Sequence, residues 1–246
     1  MTSAPSAATG LLLEDAGYVV GEKALLAGIS AHLTEARIGI VGRNGSGKTT
    51  LLRLMAGLVA PTTGRVRVDG IDPAGDRKAV LSRIGILFQN PDHQILFPTV
   101  QEELAFGLRQ QGRTEAEAQG VARQVLDRAG RGHWAGAAVS TLSQGQRQML
   151  CLMAVLAMEP ATVLLDEPFA SLDLPARMRL SRVLAGLDRR IVVISHDPVA
   201  LAEMDHVLWI EGGRILADGP APDILEAFSA EMTRLGGLDA DADLTG

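Results

Sequence analysis

The residues from Gly42 to Thr49 read GRNGSGKT and satisfy the pattern G-x-x-x-x-G-K-S/T. Glycines at these places let successive backbone N–H groups turn toward one anion, and a helix N-terminus just beyond adds a favourable dipole. Gly42, Asn44, Gly45, Ser46 and Gly47 would line the loop, with Thr50 behind it. Lys48 would reach β- and γ-phosphates and Thr49 would offer its hydroxyl to Mg²⁺. The bland alternative is a glycine-rich turn with a stray lysine capping a helix. A second stretch, Thr162 to Glu167, reads TVLLDE. Here an apolar strand delivers Asp166 and Glu167 at its C-terminal end, the edge at which such sheets bind ligands. Asp166 can hold a metal directly or through water, and Glu167, one residue on, can polarise an attacking water. For an isolated Asp-Glu pair a surface role would be preferred; beside a phosphate loop the catalytic reading wins.

These groups need elements to carry them. Arg37 to Val41 runs straight into the glycine-rich turn and then into the apolar run Leu51 to Leu58, giving strand, loop and helix. Leu11 to Val20 is β-rich, Gly64 to Ile71 alternates like a half-exposed antiparallel strand, and Ile84 to Phe88 reads as a buried strand. From about Pro91 to Pro160 the period becomes helical, with Glu115, Glu117, Arg123, Asp127 and Arg128 on a solvated face. Two uninterrupted apolar strands follow, Thr162 to Leu165 and Ile191 to Ile194, as a parallel sheet covered on both faces requires. Val207 to Ile210 and Arg214 to Ala217 flank Glu211-Gly212-Gly213 as a hairpin. The expected class is α/β: a mostly parallel core with an antiparallel β subdomain over 10–90 and 160–235, and a helical subdomain over 91–159 inserted. A disordered leader is expected over 1–9 and a mobile tail over 236–246.

Composition narrows the function classes. A chain of 246 residues with 47% hydrophobic content can bury a sizeable core. A formal charge of -6 argues against broad electrostatic binding to nucleic acid or anionic lipid. The single cysteine, Cys151, excludes an internal disulfide framework and fits a reducing compartment. The start, MTSAPSAATG, lacks the basic and apolar regions of a signal peptide. The most membrane-like run, Met149 to Met158, is about half of the roughly 20 residues a span requires.

Leu142 to Gln146 reads LSQGQ and precedes TVLLDE by a helix of fitting length. The pair resembles the LSGGQ signature and following strand of ATP-binding-cassette (ABC) ATPases. The other marks of that family occur in order: Tyr18 as an adenine-stacking aromatic, Gln89 in LFQNP as the Q-loop glutamine and a further Mg²⁺ ligand, Ser171-Leu172-Asp173 as the D-loop, and His196 after IVVIS as the switch histidine. The resemblance spans nearly the whole chain. It implies ATP and Mg²⁺ as cofactors, Glu167 and His196 as catalytic groups, and a nucleotide contact set that includes Ser143, Gly145, Gln146 and Asp173. It also implies a head-to-tail dimer in which each phosphate loop is completed by the partner's signature. A homodimer is the economical form and an asymmetric heterodimer the alternative. One departure is Gln144, where the family has its first signature glycine and hence more backbone freedom.

The stretch after Gln89, NPDHQILFPTVQEELAFGL, is similar to the segment NPD-x-Q-x-x-x-x-T-V-x-x-E-x-A-F-G of energy-coupling-factor (ECF) importer ATPases. By that resemblance Ile95, Leu96 and Phe97 are exposed apolar contacts for the coupling helices of a transmembrane subunit, with a substrate-binding membrane subunit engaged indirectly. Packing within the subdomain is the competing reading. The expected location is peripheral, on the cytoplasmic face of the cell membrane. The short segment after Gly219, with DEPFASLDLPAR and LSQGQRQ, looks more like the biotin-module ATPases than the cobalt or nickel ones. A soluble ABC ATPase acting on nucleic acid is the rival class; it is disfavoured by the acidic balance and by the lack of a long coiled coil or second cassette.

Overall fold

Alternation along Leu11–Val20 builds the first sheet. Leu11 and Leu13 of this strand, β1, are buried while Glu14 is not, so one face turns inward. β1 pairs antiparallel with β2 (Lys23–Leu33) on one side and β4 (Thr63–Val68) on the other, with Leu11 opposite both Leu33 and Val68. Register shifts interrupt the β1–β2 ladder between Leu13 and Ala16, where Asp15 takes a left-handed backbone, φ 47°. The computed structural model describes residues 10–170 and 172–240, with side chains as far as residue 237. The expected leader over 1–9, the last six residues of the expected tail, and Ser171 of the D-loop lie outside the described residues.

The chain divides into two compact units, Met1–Ala74 with Val192–Gly246, and Gly75–Ile191. The first holds the antiparallel sheet and a second sheet in which β7 (Arg190–Ser195, its first residues lying before the unit's edge), β3 (Arg37–Val41), β8 (His206–Glu211) and β9 (Arg214–Pro220) lie in that order. β3 and β8 run parallel, with Ile38 opposite His206, and β8 and β9 form the expected antiparallel hairpin. Ile38, Ile40 and Val41 are wholly buried, as are Leu51, Leu52, Leu54 and Met55 of the helix α1 (Lys48–Met55). The last helix, α7 (Ala221–Ala240), buries Ala221, Ile224, Leu225 and Phe228 at helical spacing, and Phe228 meets Trp209 edge-on at 5.4 Å. Its backbone stays helical through Ala240, past the expected boundary at 236.

The second unit contains the parallel pair β5 (Ile84–Leu87) and β6 (Thr162–Asp166) and the helices α2 (Arg77–Arg83), α3 (Val100–Gln110), α4 (Glu115–Arg128), α5 (Gln144–Ala157) and α6 (Leu174–Ala185). Leu104, Leu108, Ala122, Leu126 and Leu150 bring α3, α4 and α5 into one core. Thr114 and Glu117 close a reciprocal capping box at the start of α4. The inserted helical segment is therefore present. It shares a unit with β5, β6 and α6, which the expected boundaries had assigned to the core. The architecture is α/β with a separate antiparallel sheet.

Candidate nucleotide site

In the first unit the phosphate loop leaves β3 at Val41 and enters α1 at Lys48. Gly47 is the helix N-cap with φ 112°, and a Cβ there would come within 2.8 Å of Leu26 Cδ2 and 3.0 Å of the Leu25 carbonyl oxygen. At Gly42 a Cβ would approach the Ile210 carbonyl oxygen to 2.2 Å. The loop is pinned by the β8–β9 turn: Gly213 N–H donates to Ser46 O at 2.9 Å, and Gly213 O accepts from Ala27 N–H of β2 at 2.9 Å. Lys48 is buried and its Nζ donates to Gly42 O at 2.7 Å and Arg43 O at 2.8 Å, closing the loop on itself. Ser46 is 4% exposed and its Oγ has no hydrogen-bond partner. A buried hydroxyl without a partner costs about 1–3 kcal/mol. Here it sits in a loop whose helix-terminal N–H groups favour anions, so the residues fit a phosphate. Asn44, Gly45 and Thr49 are exposed, and Thr50 is half-buried in the first turn of α1.

Tyr18, half-buried on β1, is paired with Leu26, whose side chain packs against Gly47, so the candidate stacking ring stands two packing steps from the loop. His196 follows β7, neighbour of β3, and is exposed.

In the second unit β6 is buried along its whole length and ends at Asp166, 5% exposed, with Glu167 next at 9%. Glu167 has φ 45°, a left-handed backbone uncommon outside glycine, and its carbonyl accepts from Ala170 N–H in the turn that follows. Leu87 is the register partner of Leu165, so Gln89 and Glu167 each stand two residues past the last pair of the same parallel ladder. That register brings the Q-loop glutamine and the candidate base to one edge. Among the described residues no group of three or more His, Cys, Asp or Glu side chains could hold a metal ion. A nucleotide-bound Mg²⁺ ion commonly takes one or two carboxylates together with phosphate oxygens and water.

Ser143 caps α5: its Oγ accepts from Gln146 N–H at 3.3 Å, while Gln146 Oε1 accepts from Ser143 N–H at 2.7 Å. Gln144 is the first helical residue, a backbone any side chain adopts. Gly145 faces α6; a Cβ there would lie 3.3 Å from Ala176 Cβ and 3.6 Å from Leu172 Cδ2. Asp173 is the N-cap of α6 and accepts from Ala176 N–H at 2.8 Å. Signature and D-loop residues thus share the wall of one groove of about 740 Å³, lined among others by Ser143, Gly145, Leu172, Asp173 and Ala176.

The segment expected to meet a transmembrane subunit is only partly exposed. Leu96 is 67% exposed, whereas Ile95 packs against the helical core and Phe97 is half-buried, 5.2 Å from Phe106 and under the Arg109 guanidinium at 5.4 Å. The expectation of three exposed contacts is corrected to one, because the helical core claims the flanking side chains. Sequence reading also left Glu103, Gln94, Asp92 and Arg147 without roles. Glu103 is buried, and its Oε2 accepts from the N–H groups of Leu96 and Phe97, both at 2.9 Å. Gln94 accepts from Phe88 N–H at 3.0 Å and donates to Ile86 O at 3.2 Å. The signal was present in the NPD-x-Q and T-V-x-x-E spacing, but it names residues without saying what they hold.

Comparison with known proteins shows the family. Residues 26–170 match the model of the ABC transporter family. The chain is 50% identical over 224 residues to the biotin transport ATP-binding protein BioM of Rhodobacter capsulatus, covering 90% of this chain and 96% of that protein. Among solved structures, cbiO1 of Clostridium perfringens, part of the ABC transporter complex cbiONQ, superposes with a TM-score of 0.74 at 27% identity over 94% of this chain and 99% of that one. The ATP-binding cassette MJ0796, solved as a dimer in a post-hydrolysis state with ADP and Pi, superposes at 0.73 and 26% identity over 86% of this chain and 98% of that one. A phosphate loop shaped by glycine, a buried strand ending in Asp166 and Glu167, and a serine-capped signature helix occur here in a chain matched over nearly its full length, and the protein belongs to the ABC transporter family as an ATP-binding subunit that hydrolyses ATP.

Proposed function

We propose that the chain powers an ECF-type importer, with biotin as the cargo of the assembly. The observation that carries this reading is the 50% identity to a biotin transport ATP-binding protein over 96% of that protein's length. The chain would work as a dimer at the cytoplasmic face of the membrane, bound to a transmembrane subunit through the turn that presents Leu96. No helix among the described residues is long and apolar enough to cross a membrane.

Bound ATP supplies the phosphoanhydride bond whose cleavage drives the cycle, and its phosphates, with Mg²⁺, supply the charge that holds two copies together. On the protein side, Gly42, Asn44, Gly45, Ser46, Gly47, Lys48, Thr49 and Thr50 receive the phosphates. Lys48 would exchange its contacts with Gly42 O and Arg43 O for phosphate oxygens. Tyr18 stacks on the adenine. Thr49, Gln89 and Asp166 would hold Mg²⁺, directly or through water. Glu167 accepts the proton of the attacking water, and His196, the switch histidine of the family resemblance, is the second catalytic group. Ser143, Gly145, Gln146 and Asp173 complete the site of the opposite copy. This places a nucleotide under two chains at once, so binding and dimer closure become one event.

The test is transport. The chain, co-expressed with candidate transmembrane and substrate-binding subunits and reconstituted in vesicles, is expected to drive ATP-dependent uptake of labelled biotin. Glu167→Gln is expected to lower both uptake and turnover by about 10²-fold or more. Uptake of Co²⁺ or Ni²⁺ in place of biotin would reassign the cargo to the metal-type importers. Turnover unchanged in Glu167→Gln would remove that residue from the role of base.

A further inference from the structure

The turn that carries Leu96 and the serine that caps α5 belong to one unit and are joined by a short run of polar contacts. Pro91–His93 forms a 3-10 turn, capped by Asn90, whose Oδ1 accepts from Asp92 N–H at 2.9 Å. Pro91 O then accepts from the N–H groups of Gln94 and Ile95, both at 3.0 Å, and Glu103 fixes Leu96 and Phe97. The backbone from Asn90 to Phe97 is thereby one stiff piece. From it the Asp92 carboxylate reaches Arg147 of α5, with 3.0 Å between Oδ1 and Nε. The Nε–H is not aligned with the carboxylate, so this is an ion pair and not a hydrogen bond. Arg147 also donates from Nη1 to Leu142 O at 2.8 Å. Leu142, 6% exposed, immediately precedes Ser143. One guanidinium therefore touches both the piece that would meet a membrane subunit and the first residue of LSQGQ.

We infer that the Asp92–Arg147 pair is a positioning link that couples the turn at Leu96 to the signature at Ser143, so that occupancy of the turn sets how the signature meets nucleotide. This rests on the dimeric reading above. Asp92 is 61% exposed and Arg147 23% exposed, and an ion pair so open to water adds little to stability. Its consequence is geometric: with the pair intact, a displacement of the turn moves Leu142 O and the α5 cap with it. With the pair absent, turn and cap keep the packing of Ile95 and the backbone bond at Pro98 in common, and no charge joins them. Other ties run beside it, Val139 N–H to Pro98 O at 2.8 Å and Gln148 Nε2 to Phe88 O at 3.5 Å, but neither carries charge.

A reporter at position 96 tests the link. Cys151 is the chain's single cysteine. It is buried, and its thiol is pushed up to about 12 by that burial, then by Glu103 and Asp92. A thiol held protonated does not react, so Leu96→Cys takes a maleimide dye alone. In a Glu167→Gln background, Mg-ATP is expected to form the dimer, followed by light scattering, and to change the dye's emission. Asp92→Asn, which leaves the bond from Arg147 to Leu142 O in place, is expected to cut that emission change about fivefold or more. Arg147→Ala is expected to do the same, and the double variant no more than the worse single one. Loss of the dimer itself, with circular dichroism and nucleotide binding unchanged, is the stronger form of the same result. Arg123→Ala, which removes an exposed pair with Asp127 on α4, is expected to leave the emission change intact. A full emission change in both Asp92→Asn and Arg147→Ala, losses that multiply in the double variant, or an unresponsive dye despite dimer formation in the parent would each overturn the link. Failure of the parent to dimerise would instead refute the dimeric reading on which the link rests.

Discussion

Single residues in the phosphate loop answer to two constraints at once. Gly47 must take a positive φ to start α1 and must also leave room for Leu26 and the Leu25 carbonyl, so either requirement alone excludes a side chain. Lys48 satisfies its charge on two loop carbonyls and can trade them for phosphate, whereas the Ser46 hydroxyl has nothing to trade. Lys48→Ala is therefore expected to weaken ATP binding to the isolated chain by roughly 10- to 100-fold, the size of a lost charge-assisted hydrogen bond. Equilibrium binding of a fluorescent ATP analogue measures it, and unchanged affinity would count against the loop. Glu167 carries a left-handed backbone at the end of a buried strand. Such outliers persist only where the surroundings impose them.

At the scale of elements, the α3 helix works as the foundation of the turn before it. Glu103 lies in its first turn, buried at 6% exposure, and accepts two backbone N–H groups from Leu96 and Phe97. Removing the carboxylate strands both donors, which are part-buried, so each costs near the low end of about 1–3 kcal/mol. Glu103→Ala is expected to lower the thermal midpoint by about 5–10 °C, given about 2–4 °C per kcal/mol for a domain of this size. Glu103→Gln, whose amide oxygen can still accept, should lose less than half as much; equal losses in a calorimetric scan would show that the side chain packs and does not anchor. The α5 helix carries a comparable device in the Ser143–Gln146 box. That box makes Gln144 the first helical residue, a position whose backbone needs no glycine.

For the whole molecule, the expected outcome is assembly driven by nucleotide. Glu167→Gln with saturating Mg-ATP should double the mass seen by light scattering relative to the nucleotide-free chain, and EDTA should reverse it. A ligand present at about 100 times its dissociation constant stabilises the state that binds it by about 2.7 kcal/mol. A mass that stays monomeric at that saturation would exclude a shared site. The ATP-binding cassette MJ0796, to which this chain is similar, was solved as a dimer.

Contiguous patterns were legible without coordinates. The loop GRNGSGKT, the strand TVLLDE, the serine before α5 and the strands β1 and β3 depend on spacing over a few residues, and the chain's family membership follows from their order. β2 was not legible, because KALLAGISAHL has no strict alternation; it becomes a strand by pairing with β1 across the Gly21-Glu22 turn, where Gly21 has φ 59°. Which of Ile95, Leu96 and Phe97 faces water was decided by helices α3 to α5, whose core takes Ile95 and whose Phe106 and Arg109 hold Phe97. The contact between Asp92 and Arg147 likewise joins residues far apart in the chain. Local spacing encodes what a short segment can do chemically; the neighbours that bury, anchor or pair it arrive only when distant segments pack.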